Sequence, residues 1–467
     1  MLSKEDNELL CHIGPGTPTG TLLRHYWLPF LFDWEVVPDR QPERVRLLGE
    51  DLIAFRDSMG RVGLLGDHCA HRGASLFFGR NEDCGLRCVY HGWKYDVDGR
   101  CVDMPNEPEP STGDQAGADA YDEATPMGAA PRRFKDKIRH TAYPCVERGG
   151  VVWAYLGPRN PPPPLPHLEW MDVPPEQRYA SKRVQYSNWV QGMEGDIDQS
   201  HVSFVHSRLN LEDDSDLRFR TGGPRRLVDQ IRKNDTHPRF EVVETEYGVC
   251  IGAGREAGDG NRYWRISQHL MPFHTMTGPY GANPPRGWRA WVPIDDENVF
   301  VIGVSFHPNR PLTDAELDRH ANRSGVWNIS PEMRMPVSTQ PYGRWRPLPS
   351  LENDFFIDRE AQRTKTYSGI SEFWGQDAAP QLSMGPIYDR SQEHLGTSDS
   401  AIISVRRRLL RASKELRDDG TVPPEIDNPA AYMVRSDALL LPAAESWLEA
   451  TEERRRVLAG VNPSCPA

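Results

Sequence analysis

The sequence predicts an α+β chain, with a small all-β portion first and a larger portion of strands and helices after it. Three observations carry this: short strand–turn–strand runs between Glu35 and Asp103, a run of four prolines at Pro161–Pro164, and longer alternating segments beyond it. Residues 1–30 hold a loop, Gly14-Pro-Gly-Thr-Pro18, then an amphipathic segment, Leu22–Trp27, that must pack on something larger. Val45–Leu48, Leu52–Phe55 and Val62–Leu65 are β-rich runs split by Gly-Glu-Asp and Ser-Met-Gly turns, the signature of antiparallel hairpins. Gly92–Asp103 is a further hairpin turning at Asp98-Gly99. Residues 107–132 lose all periodicity and fill with Pro, Gly, Ala and Asp, which predicts a mobile surface insertion. Val151–Tyr155 is a strand that closes the β portion, and Pro161–Pro164 is a stiff linker, giving domains at 1–160 and 161–467. Beyond it, Asn188–Arg208 reads as a helix, Leu227–Gly254 and Tyr263–Thr275 as strands, and Trp288–Val304 as two more strands. Leu312–Arg323 is helical, and after Ser350 the clearest helices are Ser400–Arg417 and Ala443–Leu458.

The β portion carries Cys69-x-His71, sixteen residues, then Cys88-x-x-His91. Two mixed pairs at that distance suit two loops meeting at the tip of a small sheet. A Rieske [2Fe–2S] centre needs this set, two thiolates on one iron and two imidazoles on the other. A Cys₂His₂ zinc site takes the same residue types, but zinc-finger spacing pairs Cys with Cys and His with His. The flanking His71-Arg72-Gly73 and Tyr90-His91-Gly92-Trp93 resemble Rieske ligand loops. Arg72 and Trp93 are read as packing or hydrogen-bonding there, and Cys84, between the pairs, as structural.

The net charge of −12 argues against nucleic acid. No run of eighteen apolar residues and no basic-then-apolar start indicate a membrane span or a signal peptide. The other six of eight cysteines are scattered, not a disulfide framework, so a reducing cytoplasm is expected.

A second chemical site lies in Asn188–Leu209, where His201-x4-His206 follows Asp198 and Glu194. At about 100° per residue, Glu194, Asp198 and His201 share a helix face, while His201 and His206 sit about 140° apart. Both imidazoles reach one ion only if the helix is distorted or ends near Ser203–Val205. Two His and one carboxylate with open positions is the arrangement of non-haem Fe(II) oxygenases. The bland alternative is a polar helix face that happens to carry two histidines. A one-electron relay upstream favours iron, because the relay needs an acceptor. The third ligand cannot be chosen by spacing among Asp354, Asp358, Asp377, Asp389, Glu393 and Asp399.

With both motifs in this order, the chain resembles the oxygenase component of Rieske non-haem iron aromatic ring-hydroxylating oxygenases, in the phthalate-dioxygenase-like branch. The likeness runs from Gly14-Pro-Gly-Thr-Pro-Thr-Gly20 through both motifs to Phe373-Trp-Gly-Gln-Asp377 and Met384–Asp399. It implies an all-β Rieske domain and a helix-grip catalytic domain, an antiparallel sheet with long helices. It places Cys69, His71, Cys88 and His91 on the cluster, His201, His206 and Asp377 on the mononuclear Fe(II), and Asp198 as the acid that couples the two. It also implies a homotrimer or dimer of trimers in which that coupling passes between neighbouring subunits. Two departures stand out: the insertion is long, and Asp196 stands where glycine is expected.

The implied activity is a terminal oxygenase that uses O₂ to cis-dihydroxylate an aromatic compound, an aromatic carboxylate such as a phthalate. A Rieske monooxygenase or O-demethylase of an aryl ether, and a non-catalytic electron carrier, are the alternatives. The chain has no plant-type ferredoxin spacing and no flavin or nicotinamide fingerprint, and its Gly252–Gly258 stretch leads into no helix. Electrons must therefore come, ultimately from NAD(P)H, through a separate flavin- or ferredoxin-type reductase. A carboxylate substrate needs an arginine in the pocket, and Arg220, Arg225, Arg226, Arg255, Arg262 and Arg265 are candidates.

Overall fold

The computed structural model describes residues 2–107, 134–210, 226–279, 283–322 and 329–457. Arg220, Arg225, Cys465 and all but the first residue of the 107–132 insertion lie outside them.

Glu43–Leu47, Glu50–Arg56, Val62–Gly66 and Ala142–Tyr143 form an antiparallel four-stranded sheet. The turns between the first three place Gly49 and Gly60 at φ +80°, a conformation that a Cβ disfavours. A second four-stranded sheet, Arg80–Glu82, Gly85–Arg87, Lys94–Tyr95 and Cys101–Asp103, carries the second Cys/His loop. Ile53, Phe55, Leu65, Leu76, Leu86, Trp93 and Tyr95 make a small core that includes Cys69 and Cys88. Burying each such large side chain contributes roughly 1.5–3 kcal/mol, so the ligand loops stand on a packed base.

A three-stranded sheet joins Trp27–Phe32, Val151–Tyr155 and Cys145–Arg148. The first of these strands was not anticipated: the amphipathic segment at 22–27 is the end of the helix Pro18–Arg24 and the start of a buried strand. Its residues belong to the main core, which continues without a break into the catalytic portion through Trp153, Trp170 and Trp288. A buried ion pair between Lys182 and Glu35 ties the same two portions together. Glu35 also accepts from Trp345 Nε1 at 2.7 Å and from the Phe32 N–H at 2.7 Å.

The catalytic portion is built on an eight-stranded antiparallel sheet. Its order is Arg178–Gln185, Val299–Phe306, Arg286–Pro293, His274–Met276, Asn261–Leu270, Gly248–Gly258 and Arg239–Thr245, with Asp437–Pro442 pairing Asn261–Leu270. The helix Trp189–Ile197 lies on this sheet at Gly192, where a Cβ would come within 2.3 Å of the Trp291 ring. Asp196 pins it there, accepting from Trp291 Nε1 at 2.9 Å and Thr275 Oγ1 at 2.5 Å and pairing with buried Arg289. From its other side Glu194 pairs with Arg406, at 2.6 Å, on the long helix Ser400–Asp419. Glu194 is thus committed to an ion pair with that helix.

Three helix expectations change. Asn188–Arg208 is not one helix, because the regular part stops at Ile197. Residues 227–234, read as strand, belong to the helix Arg226–Asn234, in which Leu227 and Ile231 have the helical i, i+4 spacing. The long helix expected after Ala443 is two single turns, Trp447–Ala450 and Glu452–Arg455. Between them the Thr451 hydroxyl donates back to the Trp447 carbonyl at 2.7 Å, a local bond that competes with helix continuation. No helix among the described residues is long and apolar enough to cross a membrane.

Candidate metal centres

The two cluster loops have the same local design. Gly73 N–H donates to Cys69 O at 2.8 Å and Gly92 N–H to Cys88 O at 3.0 Å, and both glycines have positive φ. Each loop therefore doubles back and presents its cysteine inward and its histidine toward the tip. Cys69 and Cys88 are each 3% exposed, and Cys69 Sγ lies 3.2 Å from the Tyr95 hydroxyl. Burial pushes the Cys88 thiol up, with the Cys69 thiol adding to it. The His71 and His91 rings are 4.4 Å apart, and His71 stacks on Trp93 at 4.5 Å. His71 Nδ1 is buried with no hydrogen-bond partner, a ligand atom in want of a metal. Among the described residues His201, His206 and Asp377 bring three ligand atoms within 4.8 Å of one another. Two thiols from buried cysteines and two imidazoles on paired loops are the donor set that a Rieske [2Fe–2S] cluster takes.

The second centre exists because the helix breaks. Asp198 has extended backbone, φ −75° and ψ 119°, and its Oδ1 accepts the Ser200 N–H at 2.6 Å. This Asx turn offers the backbone a local alternative to the helical ladder. A single tight turn, His201–Ser203, follows, and it brings the His201 and His206 rings to 5.2 Å. Asp377 comes from the helix Phe373–Ser383, whose Phe373 stacks on His206 at 4.2 Å. His206 Nε2 lies 3.1 Å and His201 Nε2 3.4 Å from the same Asp377 oxygen, Oδ1.

Each imidazole is oriented from behind. Gln376 Nε2 donates to Ile370 O at 2.8 Å, so its Oε1 must be the acceptor facing His206 Nδ1, at 2.8 Å. Asp198 Oδ2 holds His201 Nδ1 at 3.3 Å. Protons on both Nδ1 atoms leave both Nε2 lone pairs pointing at the space beside Asp377, the usual way a metal-binding histidine is fixed. Burial works against the Asp377 charge, but His206, His201 and Arg289 hold its pKa down to about 2. Burial likewise opposes the charge on Asp198, yet the His201 bond keeps its pKa low.

Two cavities meet at this centre. The inner one, about 140 Å³, is lined by Val202, Phe373 and Pro279 and by the cations Arg232, Arg265 and Arg286. The outer one, about 730 Å³, is mostly apolar, with Phe204, Tyr367, Ile370 and Met384 on its walls. Gly195, Asp198, His201 and Asp377 line both, and so form the partition between them.

Of the arginine candidates, Arg265 lines the inner cavity. Arg255 does not: 1% exposed, it donates to Gln199 O, Asp235 O and Ser203 Oγ and braces the segment after Asp198. Arg262 pairs with Glu256 on the surface, and Arg226 opens its helix. Arg232 and Arg286 were missed, the first because its segment read as strand. Gln376 was missed too, its one signal being its place before Asp377.

The description "Rieske [2Fe-2S] domain" matches residues 27–118, and "LigXa C-terminal domain like" matches residues 154–464. The chain is 37% identical to the 3-chlorobenzoate-3,4-dioxygenase oxygenase subunit of Comamonas testosteroni, over 97% of this chain and 99% of that protein. It is 35% identical to the phthalate 4,5-dioxygenase oxygenase subunit of Pseudomonas putida, over 88% and 86%. It is 32% identical to the 5,5'-dehydrodivanillate O-demethylase oxygenase subunit of Sphingobium sp. (strain NBRC 103272 / SYK-6), over 89% and 81%. Among solved structures, the carbazole-bound oxygenase in its ferredoxin complex of carbazole 1,9a-dioxygenase shares the fold, with a TM-score of 0.51 and 18% identity over 91% of this chain and 98% of that one.

Proposed function

Because the chain belongs to the Rieske oxygenases, iron-dependent oxidoreductases that incorporate O₂, we propose that it is a terminal oxygenase that cis-dihydroxylates an aromatic carboxylate. The observation that supports the substrate class is the 37% and 35% identity to subunits named for 3-chlorobenzoate and phthalate dioxygenases. The cavity beside His201, His206 and Asp377 carries Arg232, Arg265 and Arg286 together with Phe373 and Val202, a lining suited to an aromatic anion. Residues 1–160 form the Rieske portion and 161–467 the catalytic portion in this reading. Cys69, His71, Cys88 and His91 hold the cluster, and His201, His206 and Asp377 hold the iron.

Bound there, the cluster and the iron supply one-electron relay and O₂ chemistry. The protein's own part is positional. Gln376 and Asp198 set the imidazoles, Asp377 supplies the charge, and Phe373 and Val202 keep the substrate face dry. Asp198 stands in the partition with a side face on the outer groove, where a cluster histidine can reach it. The tip beside the cluster exposes Val89 and Tyr90, 56% and 59%, apolar surface suited to that apolar groove on a neighbouring copy. Such a contact between copies is compatible with the homotrimer or dimer of trimers that the resemblance implies. The same tip, turned outward, would receive a separate reductase or ferredoxin. The scattered cysteines of the sequence suit a reducing cytoplasm.

An O-demethylase or other monooxygenase is the second reading, favoured by the 32% identity to the dehydrodivanillate enzyme. Substrate-stimulated reductant consumption across benzoates, phthalates and methoxybenzoates separates the two, with formaldehyde release marking demethylation. Iron analysis should give about three Fe per chain, and two would indicate a carrier. Asp198→Asn should keep both metals but reoxidise a pre-reduced cluster far more slowly with substrate and O₂. Wild-type reoxidation in that variant would remove Asp198 from the coupling role.

A further inference from the structure

We propose that Arg183 is a positioning residue that acts on the iron through Asp377, its buried charge favouring the ferrous state. The inference rests on His201, His206 and Asp377 holding that iron. Arg183 lies on the strand Arg178–Gln185 and is 3% exposed. Its guanidinium faces two tryptophans, 5.7 Å from the centre of the Trp291 ring and 5.4 Å from that of Trp374. Its Nε and Nη1 are buried with no hydrogen-bond partner. Ring faces attract a cation, but they return little of what its desolvation costs. Burial pushes the Arg183 pKa down to about 10, and Asp377 is the carboxylate whose attraction works the other way. The group therefore keeps its charge at neutral pH.

The connection to the metal centre is short. Trp374 and Asp377 stand three residues apart on the helix Phe373–Ser383, so their side chains share one face of it. Trp291 donates to Asp196, and Asp196 pairs with Arg289. Arg183 and Arg289 repel each other, but Arg289 has that partner of its own. The Arg183 charge is left to answer Asp377 through space. Two neutral imidazoles and one carboxylate leave a ferric site one charge more positive than a ferrous one. In an interior that screens poorly, a fixed cation opposes the ferric state the more strongly. Arg183 thus raises the reduction potential of the site. Asp198, bound to His201, brings a negative charge that pulls the other way, and Arg183 offsets it.

The test is a redox titration of the holoenzyme followed by EPR, reading the high-spin ferric signal and the reduced-cluster signal in one sample. Arg183→Met keeps the length of the side chain and removes the charge. It should raise the ferric-to-ferrous ratio at a fixed potential about tenfold or more, a fall in midpoint of about 59 mV or more, with the cluster midpoint unmoved. Arg183→Lys, titrated at about pH 6 so that a lysine near a carboxylate keeps its proton, should stay within about threefold of wild type. Both variants should retain the iron. Arg183→Gln, equally neutral, takes the place of Arg183→Met should the latter not fold. An unmoved ferric midpoint in the neutral variant overturns the proposal. So does a lysine variant that shifts as far as the neutral one, a cluster midpoint that moves equally, or loss of the iron. A wild-type enzyme with no ferric signal apart from the cluster overturns the reading of His201, His206 and Asp377 as iron ligands, and this inference with it.

Discussion

His201 and His206 are turned toward one carboxylate oxygen by two different partners, a charged Asp198 and a neutral Gln376. The difference matters for the metal, since a neutral acceptor orients its imidazole and adds no charge. Gln376→Leu should lower iron affinity by about 10–100-fold, the usual effect of losing such a partner, with the [2Fe–2S] spectrum unchanged. Iron per chain after dialysis against a chelator measures it, and full retention would show that Phe373 stacking alone holds His206. Sequence carried part of this site openly. Asp198, His201 and His206 lie in one string, and the Cys/His spacing distinguishes the cluster loops. Asp377 came by resemblance, because 171 positions separate it from His206, with most of the catalytic sheet between them, and spacing does not carry across such a path. Gln376 carried no signal beyond its place before Asp377, since a glutamine's role is decided by the direction of its amide, which only packing sets.

At the scale of elements, the helix Trp189–Ile197 is clamped from both sides, by Asp196 on the sheet and by Glu194 on the helix Ser400–Asp419. Burial opposes the Glu194 charge, but Arg390 and Arg406 hold its pKa below the ordinary 4.5. A carboxyl depressed on folding adds stability above its unfolded pKa and loses it as pH falls through the folded one. Glu194→Gln should therefore narrow its stability deficit against wild type as pH drops below 4.5, in denaturant titrations; a constant deficit would mean that the pair adds nothing. The second clamp joins the two portions. Lys182→Met leaves Glu35 buried and unpaired, and should cost about 3–5 kcal/mol, while Lys182→Met with Glu35→Leu should recover much of it. Strand positions were legible because burial alternates or saturates along them. Helix ends were not, because the stop at Asp198 depends on an Asx turn that competes with the helix by a small margin, and periodicity does not register it.

For the whole molecule, one hydrophobic core runs through both portions, so the proline linker does not make them independent bodies. The proposed coupling between copies predicts complementation. A cluster-dead His91→Ala chain and an iron-dead His201→Ala chain, each inactive alone, should regain part of the wild-type activity when co-expressed. Persistent inactivity of well-assembled mixed oligomers would confine electron transfer to a single chain. The fold class was readable from motifs and strand spacing, whereas the apolar groove was not, because its residues are gathered from segments as distant as Phe204 and Met384.

Gly195, Asp198, His201 and Asp377 line both cavities, one of which carries arginines while the other is mostly apolar. Two kinds of small molecule would therefore block this enzyme with different kinetics. An aromatic anion lodged inside competes with substrate and is relieved by more of it. A greasy, uncharged molecule lodged outside leaves substrate affinity alone and lowers kcat, a noncompetitive inhibitor acting from the far side of the same wall.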